Sequence, residues 1–157
     1  MPPTKLPILK IVSGGQTGVD RAALDLGLDL NIPIGGWCPK GRHAEDGPIP
    51  PHYPLEETSS QRLSQRTAWN VRDSDGTLVL TCGPPTGGTA LTVRLAKRQH
   101  KPYLVMDLDQ NPVISEVSTW LIQHHIHHLN VAGPRQSTYP AIYQLAFAFL
   151  KKLFHSS

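Results

Sequence analysis

Cysteine is scarce in this sequence. Cys38 and Cys82 are the only two, they stand far apart, and they form no C-x-x-C pair. A disulfide framework is therefore excluded as the source of stability, and a reducing compartment fits, so the expected location is the cytoplasm. Long apolar runs are also lacking. None approaches the length needed to span a bilayer, and the opening MPPTKLPILK has no signal-peptide core. Charge of one sign is not concentrated either. The formal net charge is +3, without a long Lys/Arg block. Arg94, Lys97, Arg98 and Lys101 gather at the end of a predicted helix, where basic residues suit the helix dipole. Aromatic residues make up 6% of the chain. Mild charge and few stacking rings argue against a nucleic-acid partner.

Glycine and proline are what the sequence has. Its 157 residues suit one domain, 1–157, with a core of its own. Ile8 to Val12 reads as a buried strand stopped by Gly14 and Gly15. Val19, Ala22, Ala23, Leu26 and Leu30 then recur at helical spacing until Pro33. The stretch Pro33 to Glu57, PIGGWCPKGRHAEDGPIPPHYPLEE, shows no period, and loops this long in a compact domain are usually functional. Thr58 to Val71 reads as a helix, Thr77 to Thr81 as a strand, Thr89 to Gln99 as a helix and Tyr103 to Met106 as a strand. Asn111-Pro112 is expected to open a further helix, with Asn as its cap. Leu129 to Ala132 reads as a fourth strand and Pro140 to Phe154 as a last helix.

Strands alternating with helices imply a single-domain, Rossmann-like α/β fold: a mostly parallel sheet with helices on both faces. In such sheets ligands sit beyond the carboxyl ends of the strands. Three of the four strands end in glycine-bearing polar loops, so all three loops should share one sheet edge.

The first loop, SGGQTGVD, is neither a P-loop nor a G-x-G-x-x-G fingerprint. No Gly-Lys-Ser/Thr follows, and Gly14 and Gly15 are adjacent. What remains is an anion cradle of backbone N–H groups, the Thr17 hydroxyl and a helix N-terminus. A packing turn without a ligand would look the same. Thr86-Gly87-Gly88-Thr89 repeats the design. Arg135, on the third loop, can add a bidentate fork to an anion or make a surface salt bridge. Asp73 and Asp75 frame Ser74 on the N-terminal approach to the second strand. An Asx-turn accounts for them locally, and a ligand with a paired N–H edge is the alternative. His124 and His128 are placed four apart on one helix face, but no third metal ligand accompanies them, and a helix-end role is preferred. Phe147, Leu150 and Phe154 are expected to form an apolar face on the last helix, which makes a homodimer or homotetramer plausible.

Several blocks, in order, resemble a known family: GGQTGVDRAAL, GGWCPKGRHAEDGPIPPHYPLEET, RTAWNVRDSDGTLVL, TGGTALT and LNVAGPR. They resemble the molybdenum cofactor carrier proteins, the circularly permuted YpsA-type branch of a nucleotide-ligand-binding Rossmann-like superfamily. The resemblance runs from about Lys10 to Tyr143. It implies an oligomer that binds, protects and carries the molybdenum cofactor, a phosphate-bearing molybdopterin, without catalysis. Cofactor-synthesis proteins and molybdoenzymes would be its protein partners. Carried over by position, the phosphate or oxo-metal end would meet Gly14, Gly15, Gln16, Thr17 and Gly18, and Thr86, Gly87, Gly88 and Thr89. Ser74, Asp75, Gly133 and Arg135 would line the rest. The chain also resembles the phosphoribohydrolases of the same superfamily, which use PGGxGTxxE. Here Gly-Gly-Thr is followed by Ala90, Leu91 and Thr92, so the glutamate needed for N-glycosidase chemistry is missing. Arg72 is left as a candidate catalytic arginine for that alternative, and a sensor of a nucleotide-derived signal is a third reading.

Overall fold

The short apolar strand that precedes the first glycine loop lies inside a sheet, paired on both sides. The computed structural model describes residues 5–155. In chain order it contains β1 (Lys10–Val12), α1 (Val19–Asp29), β2 (Ile34–Gly35), β3 (Trp37–Cys38), β4 (His43–Ala44), β5 (Gly47–Pro48), β6 (Glu56–Glu57), α2 (Leu63–Arg72), β7 (Gly76–Thr81), α3 (Gly87–Arg98), β8 (Tyr103–Asp107), α4 (Ile114–Gln123), β9 (His128–Ala132) and α5 (Ile142–His155). Five strands form one sheet in the order β2-β1-β9-β7-β8, and every pairing is parallel. Ile11 stands between Ile34 and Leu129, and Leu78 between Leu104 and Val131. All six residues of β7 are buried. That is why TLVLT reads as an unbroken apolar run rather than an alternating one.

The fold is a Rossmann-like α/β sandwich. The connection β1-α1-β2 runs outward to one edge, and β7-α3-β8 runs outward to the other. With right-handed crossovers these two helices must cover opposite faces. The packing agrees: α5 lies between α1 and α4, while α2 packs on α3. Strand β9, last in the chain, fills the gap between β1 and β7. The strand order therefore reverses at β9, and the crevice expected of such a reversal opens beyond its carboxyl end.

The main core joins α1, α4 and α5 to the central strands, with Leu26, Leu78, Leu121, Leu129 and Leu150 fully buried. A smaller cluster of Leu24, Cys38, Ile49, Tyr53 and Leu55 roots the proline-rich excursion on α1. This excursion is ordered by polar ties as well as by its prolines. Arg42 donates to the carbonyls of Leu55, Pro50 and Tyr53. The Asp25 carboxylate accepts from both Tyr53 and Tyr143 at 2.5 Å, which ties the excursion to α1 and α5.

Several local expectations need correction. Helix α2 starts at Leu63, not Thr58, because the Gln65 side chain accepts from the Ser60 amide and holds the preceding turn. Asn111 does not cap α4. It sits in the left-handed region at φ 48°, and Val113 is the cap residue. His124 closes α4 whereas His128 opens β9, so the two do not share a helix face. Of the apolar row of α5, Leu150 is fully buried, and Phe147 and Phe154 pack against the core while staying partly exposed. Among the described residues, no helix is long and apolar enough to cross a membrane.

Candidate functional site

Three loops leave the carboxyl ends of β1, β9 and β7 and meet in space. The first turns sharply after β1. The Ser13 hydroxyl donates to the Asp20 carbonyl and accepts from the Gly15 amide. Gly18 enters α1 at φ 81°, and a Cβ there would stand 2.3 Å from the Pro134 carbonyl oxygen. Only glycine lets the first loop touch the third this closely. Gly133 meets the same demand from the other side, since its Cβ would fall 2.1 Å from the Leu80 carbonyl oxygen. The second loop ends at Thr86, which precedes α3 in extended conformation and makes no side-chain cap. The Thr89 and Ala90 amides turn back to the Thr86 carbonyl. The first-turn amides of Gly87 and Gly88 receive no side-chain cap, and a Cβ on either glycine would meet open space.

A fourth wall comes from α2, and its key residue is Arg66. The guanidinium crosses the sheet edge and donates to the Gly14 carbonyl at 3.1 Å. Its Nη1 lies 3.9 Å from Oδ2 of Asp20, and both side chains are about one-tenth exposed. Gly14 makes room for it, because a Cβ there would stand 2.5 Å from Arg66 Cδ. Together the loops and α2 enclose a cleft of about 240 Å³.

The cleft lining mixes polar and apolar groups and carries two cations. Arg66 and Arg135 line it, together with the α3 N-terminus. Helix N-termini and paired arginines both favour an anion. Asp20, in the first turn of α1, is the counterweight. Burial pushes its carboxyl up to about 6, against the pull of Arg66, the Gln16 amide, Arg21 and Arg135. Burial also lowers the Arg66 pKa, and Asp20 opposes that shift.

The structure brings Gly14, Gln16, Thr86, Gly87, Gly88, Thr89, Gly133 and Arg135 to this one cleft. Three residues of the first loop stay behind its wall. Gly15, at φ 80°, faces the excursion, where a Cβ would stand 2.7 Å from Leu55 Cδ1. Gly18 is filled by the third loop, as described above. The Thr17 hydroxyl donates to Glu45 and accepts from the Gln136 amide, so it ties loops together. Ser74 and Asp75 lie at the other end of β7. Ser74 donates to the Asn70 carbonyl, and the Asp75 carboxylate accepts from the His127 and His128 amides at the start of β9. Both therefore join α2 and β9 to β7, at the sheet edge opposite the cleft. Arg72 is also remote from it. It pairs with Asp73 at 2.8 Å and stacks over Trp69.

Arg66, Asp20 and Asn130 were missed by the reading of the sequence. A signal for Arg66 existed: after Leu63, the polar residues Arg66, Thr67 and Asn70 recur at helical spacing along one face of α2. All four line the cleft. Asp20 falls off the apolar row of α1, yet it is only 8% exposed. Among the described residues, no group of three or more His, Cys, Asp or Glu is placed to hold a metal ion.

A cleft at a strand-order reversal, walled by glycine loops and a helix N-terminus, defines a Rossmann-type ligand-binding protein. Within that class the chain belongs to the circularly permutated YpsA SLOG family, whose model matches residues 11–154. A solved structure from Syntrophus aciditrophicus, described as a "Putative molybdenum carrier protein", is 47% identical. The likeness covers 96% of this chain and 97% of that one, with a TM-score of 0.93. No curated protein matches the chain.

Proposed function

We propose that this chain binds the molybdenum cofactor as cargo and carries it without chemical change. The observation that carries the reading is the meeting of Arg66, Arg135 and the uncapped α3 N-terminus on one cleft. That donor set suits a terminal phosphate. Gly87 and Gly88 leave open space where phosphate oxygens could approach the backbone. The Gln16 side-chain carbonyl accepts from the Thr17 and Glu45 amides and Asn130 donates to Thr77, which leaves the Gln16 amide nitrogen and the Asn130 carbonyl for a pterin edge. No cysteine or histidine lines the cleft. The residues therefore fit the phosphate and the ring rather than the metal, which the cofactor's own dithiolene would hold. The cleft is small beside common ligand pockets of roughly 300–1,000 Å³, so the rest of the cofactor would reach past its rim. The name of the Syntrophus relative supports the same reading. A carrier exchanges its cargo, so cofactor-synthesis proteins and molybdoenzymes are the partners implied.

The test is direct binding. Purified protein titrated with an oxidised pterin phosphate should quench the pterin fluorescence. Arg135→Ala and Arg66→Gln should each weaken that binding by tenfold or more. Equal or tighter binding of AMP would contradict the cargo assigned here.

One observation favours a second reading. A buried carboxyl raised to about 6 inside a cleft is the kind of group that serves as an acid or base. A nucleotide N-glycosidase would use it in place of the missing glutamate. Release of free adenine from AMP, abolished in Asp20→Asn, would establish that activity.

A further inference from the structure

Asp20 is a carboxylate set inside an anion site, and a carrier of phosphates has no evident use for a negative charge there. Its position is specific. Oδ2 accepts from the Gln16 amide at 3.3 Å and lies 3.9 Å from Arg66 Nη1. Oδ1 accepts no hydrogen bond, and no fully buried side-chain oxygen among the described residues lacks a partner. That leaves Oδ1 as the accessible oxygen of a residue that lines the cleft. The charged groups around the carboxylate are Arg66 from α2, Arg21 from its own helix and Arg135 from the loop after β9. Arg66 and Arg135 line the cleft, so an incoming anion would compete for them, whereas Arg21 is already paired with Asp46. No histidine lines the cleft.

We infer that this cleft takes up an oxyanion together with one proton, and that Asp20 is the residue that shares the proton with it. The inference rests on the anion-site reading above and deepens it. An oxyanion seated at Arg66 comes close to Asp20 and takes over cations that offset the carboxylate, so each negative charge disfavours the other. A proton held between Asp20 Oδ1 and a ligand oxygen removes one charge and supplies a hydrogen bond. It can arrive on the ligand, as in a phosphomonoester monoanion, or on Asp20. The ligand class is thus an oxyanion bound in its singly protonated complex. The raised carboxyl of Asp20 makes that proton available close to neutral pH. Asp20 acts here as a specificity residue for ligand charge, not as a catalytic one.

Sulfate is the suitable probe, because it does not titrate near neutral pH and any proton must come onto the protein. Calorimetric titration of the full chain with sulfate, from pH 5 to 8.5, measures both affinity and proton uptake. Running it in two buffers of different ionisation enthalpy counts the protons without any variant. Affinity should fall about tenfold per pH unit above pH 6 and level off below it. Close to one proton should be taken up per sulfate at pH 8. In Asp20→Asn the pH dependence should vanish, and sulfate should bind more tightly than to the native chain at pH 8. Sulfate binding with a flat pH profile and no proton uptake would overturn the inference and leave the anion site standing. Absence of sulfate binding even at pH 5 would remove the anion site itself, and the carrier reading with it.

Discussion

At the scale of single residues, the cleft balances two buried charges. Arg66 satisfies the Gly14 carbonyl and offsets Asp20, so removing it leaves a carboxylate in a poor environment. Arg66→Gln is expected to destabilise the protein by about 2–3 kcal/mol at pH 8 and by less at pH 5, where Asp20 can neutralise itself. Denaturant melts at the two pH values test this, and an equal loss at both would contradict it. The native chain has its own pH signature. The Asp20 carboxyl holds its proton up to about pH 6 when folded, against 3.8 as the reference value. The native state therefore binds more protons between those values. The stability this gives is complete below about pH 4 and is lost as pH rises through 6. Between pH 4 and 7 the native chain should lose about 2 kcal/mol relative to Asp20→Asn. A gain over the same range would mean that Asp20 is not buried as described.

Glycines at this scale divide into two kinds. Gly133 is packed against the Leu80 carbonyl, so Gly133→Ala should cost several degrees in Tm or prevent folding. Gly88 faces open space at the start of α3. Gly88→Ala should leave Tm unchanged or raise it slightly, because alanine is the better helix residue. It should still weaken pterin-phosphate binding, since the methyl group intrudes where the phosphate would approach. Normal binding with normal stability would move the phosphate away from α3.

At the scale of elements, the strands and helices of the sheet were legible, and the excursion was not. TLVLT and the row Val19, Ala22, Ala23, Leu26 show their periods because one environment acts along the whole segment. Residues 33–57 show no period because each packs separately. Tyr53 and Leu55 go to the small cluster, Arg42 to three carbonyls, and Trp37 to Asp73. The three glycine loops were visible as loops, and their shared edge followed from parallel strands. Arg66 was not visible as a site residue. It reaches the cleft only because the crossover from β2 carries α2 over the sheet beside α3, a relation that no local spacing encodes. Ser74 and Asp75 illustrate the converse. Their place in the RTAWNVRDSDGTLVL block drew them into the site, yet they precede β7 and so must sit at its amino end.

The excursion also braces the site. The hairpin of β4 and β5 presents Glu45, whose carboxylate accepts from Thr17, the Ser137 amide and the Ser137 hydroxyl. Partial burial would raise its pKa, but the hydrogen bonds from Ser137 and Thr17 hold it below the usual range. Beside it, Asp46 pairs with Arg21, which also donates to the Gly15 carbonyl. One strap thus joins the loops that follow β1 and β9. Glu45→Gln should loosen both loops together. Amide exchange should quicken at residues 15–18 and 135–138 while the β7 amides stay protected. Unchanged exchange in both loops would show that the strap carries no such role.

At the scale of the whole molecule, the fold makes one edge available for a ligand and ties its far edge shut. The family and the near-complete likeness to the Syntrophus protein place the chain among proteins built on this plan. The central claim is that the plan serves here to carry the molybdenum cofactor. Its most direct test is to purify the protein from cells that make the cofactor and from cells blocked in its synthesis. Each preparation is then oxidised, and fluorescent pterin and molybdenum are counted per chain. The expected result is close to one pterin and one molybdenum per chain, absent from the blocked cells and much reduced in Arg66→Gln. Folded protein from competent cells with no pterin above background would contradict the carrier reading and transfer its weight to a nucleotide.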